Sequence, residues 1–501
     1  MIEFELKFQV PAERGAEVES AMRRGQVRAQ RLRARYFDTP GEALARAGIV
    51  LRLRQEGRTW VQTAKATGAT PFERLEDNIT VAGRGRPQPD LKRHAAGPLA
   101  ERLAQALAAP GESPGDLHEV YETDIQRLTR VIDAGETRIE LAFDTGHIRG
   151  GGRSVVVREL EFELQRGSGA ALFELATRWC ETHGLWLDPL PKSMVGQRLA
   201  HGEAVPASWQ ARLPPPHAVD SASWLAAALG AGLHQALGNA REIAAGAWGP
   251  EHVHQLRVGL RRMRTVLREL SAQEPVAALA AAVEPPLAEL FDVLGRHRDL
   301  HALLPDQHAE LRAIDAPSFT LPADEPDIVA AITAPAAQAA LLQVAAAQQA
   351  LLAGELTPPE VPILRAHLAA AARRLQRKAL RGGRRFAELP EAERHRVRKQ
   401  VKRLRYLGEL ARPLFQGRRV DRYVAALRDL QDELGLYQDA DSGRAHWSAH
   451  AAHQPAAWFA AGWCAARAQA AALRCEKACR QAAKGLRPWW DEPKRKPKAK
   501  D

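Results

Sequence analysis

Glutamates stand two residues apart at Glu3 and Glu5 and again, far along the chain, at Glu159, Glu161 and Glu163, while arginines share that spacing at Arg52 and Arg54. Carboxylates paired in this way suit a hard divalent cation such as Mg2+ or Mn2+, and guanidinium forks and lysine ammonium groups match phosphate oxygens. Together they describe a site for a metal-bound polyphosphate. A spacing of two has a structural meaning, because successive side chains leave a β-strand on opposite faces. The segment Ile2 to Val10 alternates without error: Ile2, Phe4, Leu6, Phe8 and Val10 share one side, and Glu3, Glu5, Lys7 and Gln9 the other.

The pattern recurs along the first two hundred residues. Leu51 and Leu53 oppose Arg52 and Arg54, Thr59 to Lys65 is strand-like, and Arg74, Glu76 and Asn78 share one side of the next strand. Arg127 lies in an extended setting between Glu122 and Ile132. Arg138, Glu140, Ala142 and Asp144 oppose Ile139, Leu141 and Phe143, and Glu159, Glu161 and Glu163 oppose Leu160, Phe162 and Leu164. A helix is expected between Ala12 and Ala34, a strand ending in a turn at Tyr36-Phe37-Asp38-Thr39-Pro40, and a Pro-bounded helical insert at about 88 to 114. A half-exposed antiparallel sheet accounts for any one of these strands alone. As a set their polar faces are dominated by Arg and Glu, where a solvated face is free to use Ser, Thr, Gln and Lys. A closed antiparallel barrel with a charged interior lets the opposite signs offset one another or hold a charged ligand. Dry burial of so many charges would be prohibitive for each unpaired group, so the expected lumen is wet and functional. His94, His118, His147 and His183 read as exposed loop histidines, and the general base stays open among the glutamates.

At 501 residues with 45% apolar composition, the chain is expected to form two or three domains. Its four cysteines, Cys180, Cys464, Cys475 and Cys479, lack zinc-ligand spacing and read as buried or idle thiols. No run of eighteen apolar residues and no leader pattern appears, so the expectation is a cytoplasmic protein without a membrane partner. The net charge of +11 is uneven: residues 1–210 carry 29 basic and 29 acidic residues, and the remainder 42 against 31. The second part should therefore attract a polyanion.

After a Pro-rich stretch, strand patterns give way to alanine- and leucine-rich helical periodicity. His254, Arg257, Arg261, Arg264 and Arg268 share one helix face, and Leu256, Leu260, Met263, Leu267 and Leu270 the other. The arrangement repeats at His395, Arg398, Lys402 and Arg405, an offset of 141, since 395 − 254 = 141. The repeat extends to Leu290-Phe291-Asp292-Val293-Leu294-Gly295 with Arg298-Asp299, against Leu430-Gln431-Asp432-Glu433-Leu434-Gly435 with Gln438-Asp439. A further basic helix carries Arg365, Arg373, Arg374, Arg377 and Lys378. A solvated bundle face explains one such helix; two in register describe basic rails that track a linear polyanion without reading bases. Sparse aromatics along them argue against nucleic acid. His254 and His395 either donate to phosphate, orient an arginine or pack as structural histidines.

Taken in order, Glu3-Phe4-Glu5-Leu6-Lys7, Tyr36-Phe37-Asp38-Thr39, Arg52, Arg54, Lys65, Arg74 with Glu76, Arg127, Glu140 with Asp144, Glu159 to Glu163 and Lys192-Ser193 resemble the CYTH domain, the triphosphate tunnel metalloenzyme family. The second part resembles the CHAD domain. The resemblance implies an α+β multidomain chain: an eight-stranded antiparallel β-tunnel at 1–205, a linker at 206–222, a duplicated all-α domain at 223–490 with repeats at about 223–315 and 360–490, and a basic tail at 491–501. It implies an inorganic triphosphatase in which Glu3, Glu5 and Lys7 are catalytic. Glu3, Glu5, Glu161 and Glu163 would hold Mg2+ or Mn2+, with Glu159 and Glu140 as alternates. Lys7, Arg52, Arg54, Lys65, Arg74, Glu76, Arg127, Glu140, Glu159 and Lys192 would line the substrate. Asn78 departs from the family's acidic continuation of that strand. The CHAD resemblance implies inorganic polyphosphate bound by His254, Arg257, Arg261, Arg264, Arg373, Arg377, His395, Arg398, Lys402 and Arg405, and association with polyphosphate granules. The alternatives are a binding or granule-targeting protein without turnover, and an adenylyl cyclase or thiamine triphosphatase.

Overall fold

A computed structural model describes residues 2–67, 73–82, 85–97, 99–108, 116–211, 220–321 and 325–491. In chain order the first part comprises β1 (Ile2–Gln9), α1 (Gly15–Met22), β2 (Val27–Asp38), α2 (Ala43–Arg46), β3 (Ile49–Glu56), β4 (Thr59–Thr67), β5 (Glu73–Val81), α3 (Ala100–Leu107), β6 (His118–Ala134), β7 (Thr137–Gly150), β8 (Arg153–Arg166), α4 (Gly169–His183), β9 (Trp186–Leu187) and α5 (Lys192–His201). The sheet runs β5-β4-β3-β2-β6-β7-β8-β1-β9, and β5 also pairs with β1, so eight antiparallel strands close on themselves. One edge of β1 is divided: Ile2–Phe4 pair with β5, and Phe8 and Gln9 with the short β9. The helix expected across Ala12 to Ala34 is confined to α1. From Val27 the chain is already strand, because Gln30, Leu32 and Ala34 alternate with Arg31, Arg33 and Arg35, and all pair with β6.

The barrel is apolar outside and polar within. Phe4, Leu6 and Phe8 are buried on the outer face against β8 and α4, with Phe4 6.0 Å from Phe173, Phe8 5.5 Å from Phe162, and Phe162 6.0 Å from Trp179. A second outer layer buries Leu51, Leu53 and Ala64 beneath Leu44 of α2 and Leu103 of α3. Asp38 closes the turn into α2: its carboxylate accepts from the backbone amides of Thr39, Leu44 and Ala45 at 2.8, 3.0 and 2.9 Å. That part of the Tyr-Phe-Asp-Thr motif is a helix cap.

One end of the lumen is filled. Leu32, Ala34, Tyr36, Tyr121, Ile125, Ile148 and Val157 form an apolar cluster against which Val195 and Leu199 of α5 pack. The Tyr36 and Tyr121 rings stack at 4.3 Å. Gly196 lets α5 seat, since a Cβ there would stand 2.2 Å from Tyr121 Cδ2.

From Ser221 the described chain is helical: α6 (Ser221–Ala244), α7 (Pro250–Glu269), α8 (Val276–Arg298), a π-helical turn (Asp299–Leu303), α9 (Leu304–Arg312), α10 (Ile328–Thr333), α11 (Pro335–Leu352), α12 (Val361–Gly383), α13 (Glu391–Ala411), α14 (Gly417–Ala426), α15 (Arg428–His450) and α16 (Ala457–Gly485). Contacts divide the chain into two compact units. The first runs through Trp209 and takes in His234–Leu256 and Val329–Ala346; the second comprises Gln210–Leu233, Arg257–Ile328 and the chain from Ala347 onward. Small residues on the buried side of α16, among them Ala460, Ala461 and Cys464, admit Trp447 of α15 and Phe319 into one core. All four cysteines are buried and free, and burial pushes the thiols of Cys464, Cys475 and Cys479 up to about 12. Among the described residues no helix is long and apolar enough to cross a membrane. Most of the 212–222 stretch and the tail Lys494 to Lys500 lie outside the described residues.

Replacing Gly196 with Val should force a clash with Tyr121 and lower stability by about 1–3 kcal/mol, the usual penalty for overpacking. A urea midpoint identical to that of the wild type would show that α5 is not seated in the lumen.

Candidate functional site

Strand register brings the lumen charges together, because directly paired residues share a face. Glu5 pairs with Glu163, which pairs in turn with Glu140; Lys7 pairs with Glu161; and Gln9, Glu159, Asp144 and Arg127 follow one another across four strands. On the other side of the barrel Tyr36, Arg52, Thr63 and Asn78 form a second line, and Lys65 faces Glu76. Glu3 pairs with Arg74 through the backbone, and the side chains of both lie outside the described residues.

The densest contact is made by Lys192, the first residue of α5. Its Nζ lies 2.9 Å from Asp144, 2.7 Å from Glu159 and 2.6 Å from Glu161. A lysine at a helix N-terminus opposes the helix dipole, and three carboxylates offset that cost. Arg127 grips Asp144 with two donors at 2.6 and 2.7 Å and reaches Glu161 at 2.6 Å. Burial alone would raise the pKa of Glu161, but Lys192 and Arg127 outweigh it and hold the group far below the usual carboxylate range. Glu163 behaves oppositely: burial, then the nearby Glu140 and Glu5, push its carboxyl up. The lumen thus separates a neutralised carboxylate set around Lys192 from a like-charged set around Glu163.

The cationic side chains are held to different degrees. Arg52 lies 3.5 Å and Lys65 2.5 Å from Glu76, and Arg54 donates to Glu56 at 2.6 Å. Arg52 Nε is nonetheless buried without a hydrogen-bond partner. Asn78, the departure from the acidic pattern, accepts from Thr63 at 2.7 Å. Lys7 is buried, 3.2 Å from Glu159 and 3.4 Å from Asp188, and also donates to the Leu190 carbonyl. Asp188, fully buried, takes a further donor from Gln9 at 2.7 Å and lies 3.5 Å from Arg241 of α6. Sequence reasoning passed over Asp188 and Arg241, whose only signal was a lone acid among prolines and a lone arginine on an alanine-rich helix. Two expectations are corrected. His94 is buried with Nδ1 2.7 Å from Asp77, and His183 is buried with Nδ1 2.9 Å from Glu17, so neither is an exposed loop histidine. Both are structural partners of acids on neighbouring elements.

In the second unit the rails are not solvated faces. Phe291 of α8 lies beneath three guanidinium groups, with Arg257, Arg261 and Arg264 at 4.4, 5.3 and 5.2 Å from its ring centre. Arg257 also donates to the Phe291 carbonyl at 3.0 Å, and Arg261 to the Tyr406 hydroxyl at 3.1 Å. Cations stacked on aromatic faces gain from the ring quadrupole while keeping their charge. Arg398 and Lys402 of α13 share this environment, with Arg298 bridging Asp299 at 3.2 Å and Asp439 at 3.1 Å. Burial, with Arg261 next in weight, pushes Arg257 and Arg398 down to about 10. Burial, then Arg398 and Arg261, push Lys402 down to about 6. Arg398 Nε is buried without a hydrogen-bond partner.

The remaining basic residues are spent or stand apart. Arg264 is 3.0 Å from Glu284, Arg405 is 3.7 Å from Glu409, and the exposed Arg373 is 3.3 Å from Asp491. Arg377 is exposed on α12. His395 Nδ1 faces Gln438 at 3.2 Å, and burial lowers its pKa. His254 is exposed and belongs to the first unit.

The CYTH-domain family model matches residues 1–190 and the CHAD-domain model residues 227–448. An inorganic triphosphatase from Haemophilus influenzae is 29% identical over 146 residues, which is 28% of this chain and 37% of that protein, so the chain spans little more than a third of that relative's length. Among solved structures, the CHAD domain from the plant Ricinus communis is 26% identical with a TM-score of 0.43, covering 56% of this chain and 98% of its own. A Hippeastrum protein described as an adenylyl cyclase with a dominant triphosphatase activity is 16% identical with a TM-score of 0.26, over 39% of this chain and 95% of its own. Two families therefore meet in one polypeptide: residues 1–190 are a CYTH domain and residues 227–448 a CHAD domain.

Proposed function

We propose that the barrel hydrolyses a phosphoanhydride bond of inorganic triphosphate or short polyphosphate with a divalent cation, Mg2+ or Mn2+, and that the basic cluster of the helical unit holds inorganic polyphosphate. The observation that carries the reading is the division of the lumen into a like-charged carboxylate set around Glu163 and a set of cationic side chains among which Arg52 has an unfilled donor. The donor set fits a hard dication: Glu5, Glu140 and Glu163 offer carboxylate oxygens on one face, and burial, then the charges of Glu140 and Glu5, lift the Glu163 pKa. These residues, with Glu3 and Glu161, would hold the ion. Such an ion would supply Lewis-acid stabilisation of phosphoryl charge there.

Arg52, Arg54, Lys65, Arg127 and Lys192 would grip the phosphoryl oxygens, exchanging the lumen carboxylates that now occupy them for ligand oxygens. Arg52 needs no exchange at its Nε, which is already without a partner. The guanidinium groups would stabilise charge on the equatorial oxygens and on the leaving pyrophosphate. A lumen glutamate orients the attacking water, and no covalent intermediate is required. Lys7, tied to Glu159 and Asp188, would set the position of Glu159. In the second unit Arg257, Arg261 and Arg264 over Phe291, with Arg398 and, once protonated, Lys402 nearby, offer a concentrated positive field, which suits a chain of phosphates.

The full-length protein with Mg2+ or Mn2+ should release phosphate from triphosphate, and Glu5→Ala or Glu163→Ala should lower kcat by about 100-fold or more, beyond what outer-shell changes to metal sites cost. Parallel assays on ATP, thiamine triphosphate and long polyphosphate separate the substrate classes, and absence of phosphate from all four would leave only a binding protein. Metal binding should expel a proton in the pH range above that in which an ordinary glutamate ionises, because the raised pKa leaves Glu163 protonated there. Calorimetry in buffers of different ionisation enthalpy should show this release in the wild type and lose it in Glu163→Gln. Polyphosphate retention by a Glu5→Ala protein should weaken as pH rises above about 6, since the ligand draws a proton onto Lys402 and that uptake becomes harder. Lys402→Met should flatten the pH profile, and Arg257→Ala with Arg398→Ala should abolish retention at moderate salt. Equal retention by all these variants would place the polyphosphate elsewhere.

A further inference from the structure

At the junction of α8 with the π-helical turn, His297, His301 and Glu325 bring one donor atom each within 4.8 Å of one another, and among the described residues no other three His, Cys, Asp or Glu side chains do so. His301 Nε2 is 2.8 Å and His297 Nε2 is 3.8 Å from the same oxygen of Glu325. The two imidazole rings lie 4.2 Å apart with 31° between their planes. We propose that these three residues form a binding site for a first-row transition cation, Zn2+ in the first instance, distinct from the hard-cation site of the barrel.

The geometry and chemistry agree. Ligand atoms about 2.1 Å from a tetrahedral zinc are separated by about 3.4 Å, a value that follows from the tetrahedral angle. The two nitrogen–oxygen separations of 2.8 and 3.8 Å bracket it, so small side-chain adjustments would suffice. Imidazole nitrogens prefer zinc, copper, iron or nickel, whereas magnesium and manganese prefer the all-oxygen set of the lumen. Histidines four apart on one helix face are natural chelators. Here the second falls within the π-helical turn Asp299–Leu303, a rare distortion that recurs at functional sites. An ordinary surface ion pair would explain His301 with Glu325, but not the buried His297 completing the triangle. Three protein ligands leave one position for water, and His301 and Glu325 are exposed enough for the ion to enter, at 43% and 58%. Binding would tie Glu325, shortly before α10, to the junction of α8 and α9.

The test uses full-length protein stripped with chelator and titrated with Co2+ as a spectroscopic stand-in for zinc. One equivalent should develop the intense visible bands of a four-coordinate nitrogen–oxygen site, and Zn2+ should bleach them. His301→Ala and Glu325→Gln, both at exposed positions where folding is secure, should each weaken binding by more than the roughly 10–100-fold cost of outer-shell changes. Zn2+ should raise the Tm of the wild type and leave that of His301→Ala unmoved. A barrel variant, Glu5→Ala with Glu163→Ala, should keep the Co2+ bands, which separates this site from the proposed hydrolase. Absence of a saturable band in the wild type, or equal bands in His301→Ala, overturns the proposal.

Discussion

The fold of the first unit turns on charges that are buried in pairs across strands. Lys192 placed among Asp144, Glu159 and Glu161 is the extreme case, since one cation meets three carboxylates that Arg127 and Lys7 also share in a low-dielectric space. The partners come from α5, β7 and β8, so the ion pairs act as a check on register. A slip by one residue would turn every lumen glutamate outward and bring Phe8, Phe162 and Phe143 inward. The closed eight-stranded sheet and the charge pairing therefore require each other: the sheet makes an inside, and the inside is tolerable only if its charges are matched.

In the helical unit the problem is posed with the opposite sign and met by different means. Three arginines converge on Phe291, where the ring face and the Phe291 carbonyl accept them without cancelling their charge. Carboxylates are present at Asp299 and Asp439 but are shared through Arg298, which leaves Arg398 and Lys402 under-compensated. Burial, then Arg398 and Arg261, depress the Lys402 pKa accordingly. Where the barrel gathers like-charged carboxylates around Glu163, the bundle gathers like-charged cations around Arg261 and Arg398.

Much of this was legible in the sequence because period-two alternation is written locally. Glu5, Arg52, Glu140 and Glu161 could be placed on inward faces from their neighbours alone, and the offset of 141 exposed the duplicated basic helices. What alternation cannot supply is which charge meets which. Glu161 and Glu163 look identical in sequence, yet one is neutralised by Lys192 and Arg127 and the other is pressed by Glu140 and Glu5. Asp188 and Arg241 escaped because the contacts of Asp188 with Lys7 and with Arg241 each join residues more than fifty positions apart. Phe291 was noticed as part of a repeat, but its role as a platform arises from arginines on another helix. His94 and His183 were misjudged for the same reason, their acidic partners lying on other elements.

Helix α5 carries Lys192 at its start and, one turn and two turns later, Val195 and Leu199, which fill the lumen around Tyr121. Among the described residues, apolar side chains therefore occupy the part of the lumen that lies behind Lys192. If the lumen takes a phosphate chain, as proposed, this plug would favour end-on entry over threading, so that a released fragment and the next terminus would compete for one approach.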